Sequence, residues 1–432
     1  MISVTARSTI ALFSVVAASF FATAPVLGQT AQTPAVQPPV VQTPVVQLPQ
    51  SPQVAQPAQI KQSTQIARNA AWWTDAGRIL AGEVPNASST LGKIANQPSV
   101  QRHRGAFLRS WSQFEAARLK PAMKFAQDEI TKLPQATGPI YYPFSGPDAM
   151  YALGMFPNAT SFALAGLEPV GELPDISALS DADLDASLAE VRRSLRSLST
   201  YSFFRTNDMR AEFSKNQFSG VTPILLLFIT RQGFAVQNVE QVIMEPDASL
   251  RVTDAAGLQK LPAERIPGVR ISFIKPGETK ARTLYYFKAD LSDQGLANVA
   301  QPLKWAAEFA PKATYLKSAS YLMHTAHFSQ VRNFILARTE LIVQDDSGIP
   351  MRFFSSTSWD RTFFGSYDGP IRLFANRYQK DLREAYATSA KPLEFGIGYD
   401  YQAKASNIQR FVRKRMALDD RITGTGVKIA GQ

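Results

Sequence analysis

An apolar strand that runs directly into a helix is the sharpest pattern along the chain. Residues 140–144 are mostly apolar or aromatic, and a Ser-Gly-Pro-Asp turn at 145–148 separates them from a helical stretch. Pro147 is predicted to be the first helical residue, because its fixed φ suits that position. A second strand of small residues follows at 161–165. This order predicts a βαβ unit with parallel strands, and therefore an α/β sheet.

Three further stretches have helical patterns. Ser180 and Asp183 form the start of an amphipathic helix, with the acid in the position of a capping box. Its apolar stripe consists of Leu184, Leu188, Val191, Leu195 and Leu198. Thr222 and Pro223 start another helix, in which 224–229 is apolar on every side and should be buried. Residues 315–337 are also predicted to be helical.

Two hairpins are predicted in the second half of the chain. Residues 269–273 alternate apolar and polar positions, a Pro-Gly turn follows, and 283–289 returns. The apolar segments 341–343 and 351–354 flank the turn residues Asp-Asp-Ser-Gly at 345–348. Together with the helices, these strands predict an α/β or α+β fold with a mixed central sheet and flanking helices.

The first residues fit a secretory signal peptide over 1–28. Arg7 precedes an apolar core at 10–21, and cleavage after Gly28 fits the small residues there. The alternative, a single membrane anchor, is disfavoured because the apolar run is shorter than the roughly 20 residues that span a bilayer. We expect a periplasmic or secreted protein with no membrane span after signal cleavage.

A spacer and one large domain are predicted after the signal. Residues 29–64 repeat Gln, Pro and Val, a composition that prevents helices and sheet ladders and predicts a disordered linker. Residues 65–415 are predicted to form a single large α/β domain, with two lobes divided near 232–239 as the alternative. Residues 416–432 are predicted to be a flexible tail.

Composition excludes several kinds of site. The chain of 432 residues contains no cysteine, which excludes disulfides, thiolate nucleophiles and cysteine-bound metals. Its 46 Lys and Arg against 35 Asp and Glu give a net charge of +11. That surplus fits an anionic partner or a membrane surface, but solubility explains it equally well. We expect no nucleic-acid partner, because the predicted signal peptide directs the chain out of the cell.

The Ser-Gly-Pro-Asp turn is the predicted site. Open α/β sheets bind ligands at the carboxyl ends of their strands, and helix starts favour anions. The candidate ligand-binding residues are Tyr141, Ser145, Gly146, Asp148, Asp346 and Tyr367. Their partner would be a small anionic or polyol ligand or a cell-envelope polymer. The alternative is local: the glycine permits a tight turn, the proline fixes φ, and the aspartate complements the helix dipole.

A hydrolase is the enzymatic alternative, and the sequence does not assign catalytic residues. Ser145 stands at a strand-to-helix turn, but prolines replace the glycines of a Gly-x-Ser-x-Gly elbow. A triad would need His324 or His327 with an acid. A carboxylate pair would be drawn from Asp148, Asp346 and Asp381. Whether the protein is an enzyme is therefore open, and a structural cell-envelope component is the third hypothesis.

No metal or cofactor is expected. His324 and His327 would share one face of the predicted helix, but a third ligand and an HExxH pattern are missing. The acids at 345–348 lack the alternating pattern of an EF-hand, so a hairpin turn is the simpler interpretation. His103, between two arginines, is predicted to be a solvated surface residue.

Several motifs resemble those of a family of exported bacterial proteins of uncharacterised function. They are Tyr-Tyr-Pro-Phe-Ser-Gly-Pro-Asp at 141–148, Gly-Leu-Glu-Pro at 166–169 and Gln-Asp-Asp-Ser-Gly-Ile-Pro at 344–350. The resemblance covers most of 65–400 and implies an exported protein of one folded unit. It implies no activity, cofactor or site residue. The sequence therefore favours a non-catalytic envelope or ligand-binding protein with its site at the Ser-Gly-Pro-Asp turn.

Overall fold

Five parallel strands form the centre of a ten-stranded sheet. The computed structural model describes residues 68–201, 217–399 and 405–414, so the predicted signal peptide, spacer and tail lie outside the described residues. The strands are β1 (Pro139–Tyr142), β2 (Ser161–Gly166), β3 (Ala235–Met244), β4 (Leu250–Thr253), β5 (Ile266–Ile274), β6 (Arg282–Lys288), β7 (Ala313–Leu316), β8 (Leu341–Gln344), β9 (Trp359–Gly365) and β10 (Asn407–Arg413).

The strands lie in the order β4-β3-β5-β6-β2-β1-β7-β8-β10-β9. The parallel centre runs from β6 to β8, and the strands on both sides of it pair antiparallel. From β1 the chain moves to β2 on one side, and β7 later pairs with β1 on its other side. The order in which strands are added to the sheet therefore reverses at β1, and β1 and β7 flank the switch point. Ligands bind at such a switch point in open α/β sheets.

Helices cover both faces of the sheet. They are α1 (Ala70–Leu80), α2 (Pro98–Phe114), α3 (Lys120–Glu129), α4 (Ala149–Met155), α5 (Asp181–Tyr201), α6 (Thr222–Arg231), α7 (Ala255–Gln259), α8 (Asp293–Asn298), α9 (Gln301–Phe309), α10 (Ser329–Arg338) and α11 (Lys380–Ser389). Helices α1 to α6 bury their apolar side chains in one cluster, and α8 to α11 bury theirs in a second cluster on the opposite face. The predicted α/β class, with a mixed sheet and flanking helices, is confirmed.

The βαβ unit and the first hairpin form as the sequence predicts. Strands β1 and β2 are parallel and placed so that Tyr141 lies opposite Ala163, with α4 between them in the chain. Strands β5 and β6 pair antiparallel as the predicted hairpin. In both cases the paired strands are neighbours in the sequence, and the residues that join them fit a crossover helix in one case and a turn in the other.

Helices α5 and α6 follow their sequence signals closely. The Ser180 hydroxyl accepts a hydrogen bond from the Asp183 N–H at 3.1 Å, as a capping residue does. Every residue at 224–229 is completely buried, as predicted. Helix α6 has 10 residues, about half the length that spans a bilayer. Across the described ranges, no helix combines the length and apolarity needed to cross a membrane.

Two predicted elements are wrong. Residues 345–348 do not join a hairpin, because β8 pairs with β7 and β10 while Met351–Phe353 forms a 3₁₀ turn. The stretch 315–337 is not one helix: β7 ends at Leu316, and α10 begins only at Ser329. Short buried strands and buried helical turns have the same apolar pattern, so the sequence could not separate them.

His103 is buried, and the prediction of a surface histidine is wrong. Its Nε2 lies 3.0 Å from the Leu80 carbonyl, and Arg192 donates to its Nδ1 at 3.0 Å. Burial lowers the pKa of His103 to about 4. The imidazole is therefore neutral in the folded protein at pH 7, with its proton on Nε2.

Replacing His103 by glutamine should reduce the acid sensitivity of the fold. The folded-state pKa of about 4 lies below the ordinary value of 6.5, so the unfolded chain binds a proton first and stability is lost as pH falls between these values. The loss is about 3 kcal/mol, which the glutamine should largely remove. Urea unfolding at pH 7 and pH 4 measures it. The exposed His327→Gln is the control, and equal acid losses in both variants would contradict this origin.

Candidate functional site

The carboxyl ends of the parallel strands lie together along one edge of the sheet. Hydrogen bonds continue the ladder beyond the strand ends there. The Ser145 N–H donates to the Ala165 carbonyl at 3.0 Å. The Asp345 N–H donates to the Leu316 carbonyl at 3.0 Å. The loops after the strands therefore start from fixed positions, which is the condition for building a site on them.

A cavity of about 290 Å³, which we call the corner cavity, opens at this edge beside the Ser-Gly-Pro-Asp turn. Its walls come from the strand ends and loops at β1, β2, β6 and β7. The apolar lining includes Phe144, Leu291, Leu322 and Phe328, and the polar lining is Glu168, Asp290 and Ser320. The corner cavity lies at the switch point of the sheet, next to the turn where the sequence predicts a ligand site.

Two glycines leave room for the Glu168 carboxylate at the cavity wall. Gly146 has a φ of +53°, and a Cβ on it would lie 3.4 Å from both carboxylate oxygens. A Cβ on Gly166 would collide with Oε2 of Glu168. The Tyr286 hydroxyl lies 3.1 Å from the same oxygen. Glu168 is therefore held in one position, with only 3% of its surface exposed.

The Ser145 hydroxyl contacts backbone carbonyls at the corner. It lies 2.9 Å from the Gly146 carbonyl and 3.4 Å from the Ala165 carbonyl. Within the described parts of the chain, no hydrogen bond joins Ser145 to His324 or His327. A serine nucleophile needs a base within hydrogen-bonding reach, so the triad hypothesis gains no support.

Asp148 connects the turn to the end of β7. It is the N-cap of α4 and accepts from the Tyr151 N–H at 3.2 Å, so the helix begins at Ala149 and the prediction of Pro147 as its first residue is wrong. Lys317 lies 2.8 Å from the Asp148 carboxylate, and the Tyr142 hydroxyl donates to it at 3.0 Å. Burial raises the pKa of Asp148, and Lys317 opposes that rise. The Asp148 carboxylate therefore occupies the N-terminus of α4, where the sequence predicted an anionic ligand.

Asp345 and Asp346 follow β8, and both are buried with their oxygens hydrogen-bonded. The Asp345 carboxylate accepts from the N–H groups of Ser318 at 2.8 Å and Ser347 at 3.0 Å. The Asp346 carboxylate accepts from the Tyr321 hydroxyl and from Asn407 at 2.9 Å. Burial, and then the charge of Asp345, raises the pKa of Asp346 to about 7.

The loop after β7 has an unusual backbone. Ser318, Ser320 and Tyr321 all have positive φ, between +53° and +54°. The two aspartates hold this loop through Ser318 and Tyr321, and Ser320 lines the corner cavity. Left-handed conformations in residues other than glycine are costly and concentrate at functional sites. The aspartates thus fix the shape of one wall of the cavity.

Tyr141 and Tyr367, two of the candidate residues, are buried outside the cavity lining. Tyr141 packs against Phe334 with ring centroids 5.9 Å apart. The Tyr367 hydroxyl accepts from the Gln379 N–H at 3.1 Å, and the Gln379 side chain donates to the Asp346 carbonyl at 3.3 Å. Gln379 therefore links Tyr367 to Asp346 through two hydrogen bonds. Of the six candidates, Gly146 alone lines the corner cavity.

The two histidines do not share a helix face. His324 belongs to the 3₁₀ turn Leu322–His324, and His327 belongs to a separate turn, Ala326–Phe328. Thr325 between them is extended, so the prediction of one helix face is wrong. Considering only the described residues, no group of three or more Asp, Glu or His side chains is arranged to hold a metal ion.

Sequence reasoning missed Glu168, Lys317 and Tyr321. Glu168 lies two residues after the buried strand β2, which is a usable signal for a polar group at a sheet edge. Lys317 and Tyr321 were missed because 315–337 was assigned to a helix.

Comparison of the chain with protein-family models, curated proteins and solved structures finds no match.

Proposed function

We propose that the protein is an exported, non-catalytic ligand-binding protein whose corner cavity receives a neutral polyol, such as one sugar ring. The observation that carries this proposal is the position of the cavity. It lies outside the carboxyl ends of parallel strands at the switch point, where α/β sheets bind ligands. Its volume of about 290 Å³ suits a small ligand.

The chemistry of the lining supports a polyol over an anion. Phe144 and Phe328 meet edge to face with centroids 5.6 Å apart, giving an aromatic wall against which a ring can pack. Glu168 and Asp290 line the same space. Ionised carboxylates only accept hydrogen bonds, which suits hydroxyl donors, and they repel an anion. Of the two ligand classes considered for this turn, the polyol fits better.

Export is supported by sequence alone, through the signal-like segment 1–28 and the proline-rich segment 29–64. A ligand met there is a free sugar or the terminal unit of a cell-envelope polymer. The hydrolase alternative has less support, because the hydrogen bonds of Ser145 go to backbone carbonyls and Asp148 is paired with Lys317. A structural role alone does not explain a cavity at the switch point.

A thermal-shift screen tests the proposal, with isothermal titration for any ligand that raises the melting temperature. The panel contains neutral sugars and sugar alcohols, together with acidic sugars of the same size. Neutral ligands should stabilise the protein. Leu322→Trp should weaken that binding at least tenfold, because the indole would fill the cavity. Glu168→Gln should also weaken it, because the amide has one acceptor oxygen where the carboxylate has two.

The control is Leu373→Trp, at a side chain that is 62% exposed and outside the lining. It should bind as the wild type does. The proposal fails if no polyol stabilises the wild type at millimolar concentration, or if Leu322→Trp and Leu373→Trp bind equally well.

A further inference from the structure

Three arginines lie close enough to His324 for their charges to act on its imidazole. Arg332 belongs to α10, Arg352 follows β8, and Arg377 ends the 3₁₀ segment Arg372–Arg377. The charges of Arg352 and Arg377, after burial, lower the pKa of His324 to about 4. We call these four side chains the basic cluster.

One aromatic ring, that of Phe353, contacts two of these guanidiniums. Arg332 lies 4.6 Å and Arg352 5.0 Å from the centroid of the Phe353 ring. Arg332 is also fixed by the carbonyls of Met323, at 2.8 Å, and Thr325, at 3.0 Å, on either side of His324. Burial and the charge of Arg352 both lower the pKa of Arg332. The fold therefore holds like charges together at a cost.

No printed contact neutralises the three arginines directly. Over the described ranges, no carboxylate forms an ion pair with Arg332, Arg352 or Arg377, although Asp381 and Glu384 line the same surface pocket as Arg352. Asp293 raises the pKa of Arg332 from a distance, but its own oxygens accept from Ser329 and Gln330. Two buried nitrogen atoms, Nε2 of His324 and Nε of Arg332, have no hydrogen-bond partner.

We propose that the basic cluster binds a small ligand through a phosphate group. Guanidiniums offer paired donors that match the oxygens of a phosphate, and a dianion would balance the clustered charge. Arg352 is exposed while Arg377 and His324 are half-buried, so the cluster is open to solvent on one side. This site is separate from the corner cavity and does not depend on the polyol proposal.

Titration of the full chain with inorganic phosphate in a low-salt buffer tests the site. Phosphate should bind the wild type, and the double variant Arg352→Gln/Arg377→Gln should weaken binding at least tenfold. The matched control is Arg372→Gln, which removes an exposed charge from the same 3₁₀ segment and should bind nearly as the wild type does. Circular dichroism checks that each variant is folded.

A second readout is the NMR titration of His324, assigned with His324→Gln. Bound phosphate should move its titration to higher pH, because a nearby dianion favours imidazolium. The same shift must be absent in the double arginine variant. The proposal is overturned if Arg372→Gln weakens binding as much as the double variant, or if His324 does not respond. Binding to anionic lipid vesicles without binding to free phosphate also overturns it, since that indicates a membrane-facing patch.

Discussion

Lys317→Met is expected to lower the free energy of unfolding by about 3–5 kcal/mol. The Lys317 and Asp148 side chains are 2% and 3% exposed, and their ionic atoms lie 2.8 Å apart. Removing the cation leaves a buried carboxylate without its counter-charge and breaks the connection between the turn after β1 and the end of β7. Methionine keeps the length and apolar volume of the lysine, so the loss reports mainly the charge. Urea unfolding at pH 7 measures it.

Lys312→Met is the matched control, because Lys312 stands directly before β7 as Lys317 stands directly after it. Its ion pair with Glu340 is 3.1 Å long but the two side chains are 54% and 26% exposed. Exposed pairs contribute at most about 1 kcal/mol. The double variant Lys317→Met/Asp148→Asn should recover part of the loss, since no buried charge is then unpaired. Equal effects of the two lysine variants would show that the buried pair has no special role.

Lys317 also shows why the sequence predicted only part of the site. The turn at 145–148 was recognisable because strand, turn residues and helix follow one another directly. The partner of Asp148 lies 169 positions later in the chain, after a strand of only four residues. A pattern of that length does not distinguish a buried strand from a helical turn. The corner could therefore be predicted, but its buried ion pair could not.

The same distinction between local and distant partners explains the rest of the fold. The β5–β6 hairpin was predicted because its two strands are joined by a Pro-Gly turn. The segment 345–348 has equally good turn residues, yet β8 pairs with β10, whose first residue is Asn407. His103 was misplaced for a related reason, since its hydrogen-bond partner Arg192 lies 89 positions away. Turn chemistry specifies a reversal of the chain but not the partner of a strand.

Asp346→Asn is expected to stabilise the protein above neutral pH and to have a much smaller effect at pH 4. The pKa of Asp346 is about 7 in the folded protein against 3.8 ordinarily, so the native state keeps a proton that the unfolded chain loses. Stability from this group is complete below pH 3.8 and is lost as pH rises through 7. The loss amounts to about 4 kcal/mol. An asparagine stays neutral and still accepts from Asn407, so unfolding free energies of variant and wild type should diverge between pH 4 and pH 8.

The difference between variant and wild type is the decisive quantity, because His103 contributes a pH dependence of the opposite sign over nearly the same range. Subtraction at each pH removes the contribution of His103 and isolates Asp346. The control is Asp381→Asn, at an exposed carboxylate, and the difference from wild type should change more with pH for Asp346→Asn than for this control. A difference for Asp346→Asn that does not change with pH would mean that Asp346 is ionised in the native protein throughout. In that case Tyr321 would be held by a carboxylate, and the shape of the loop beside the corner cavity would not depend on pH.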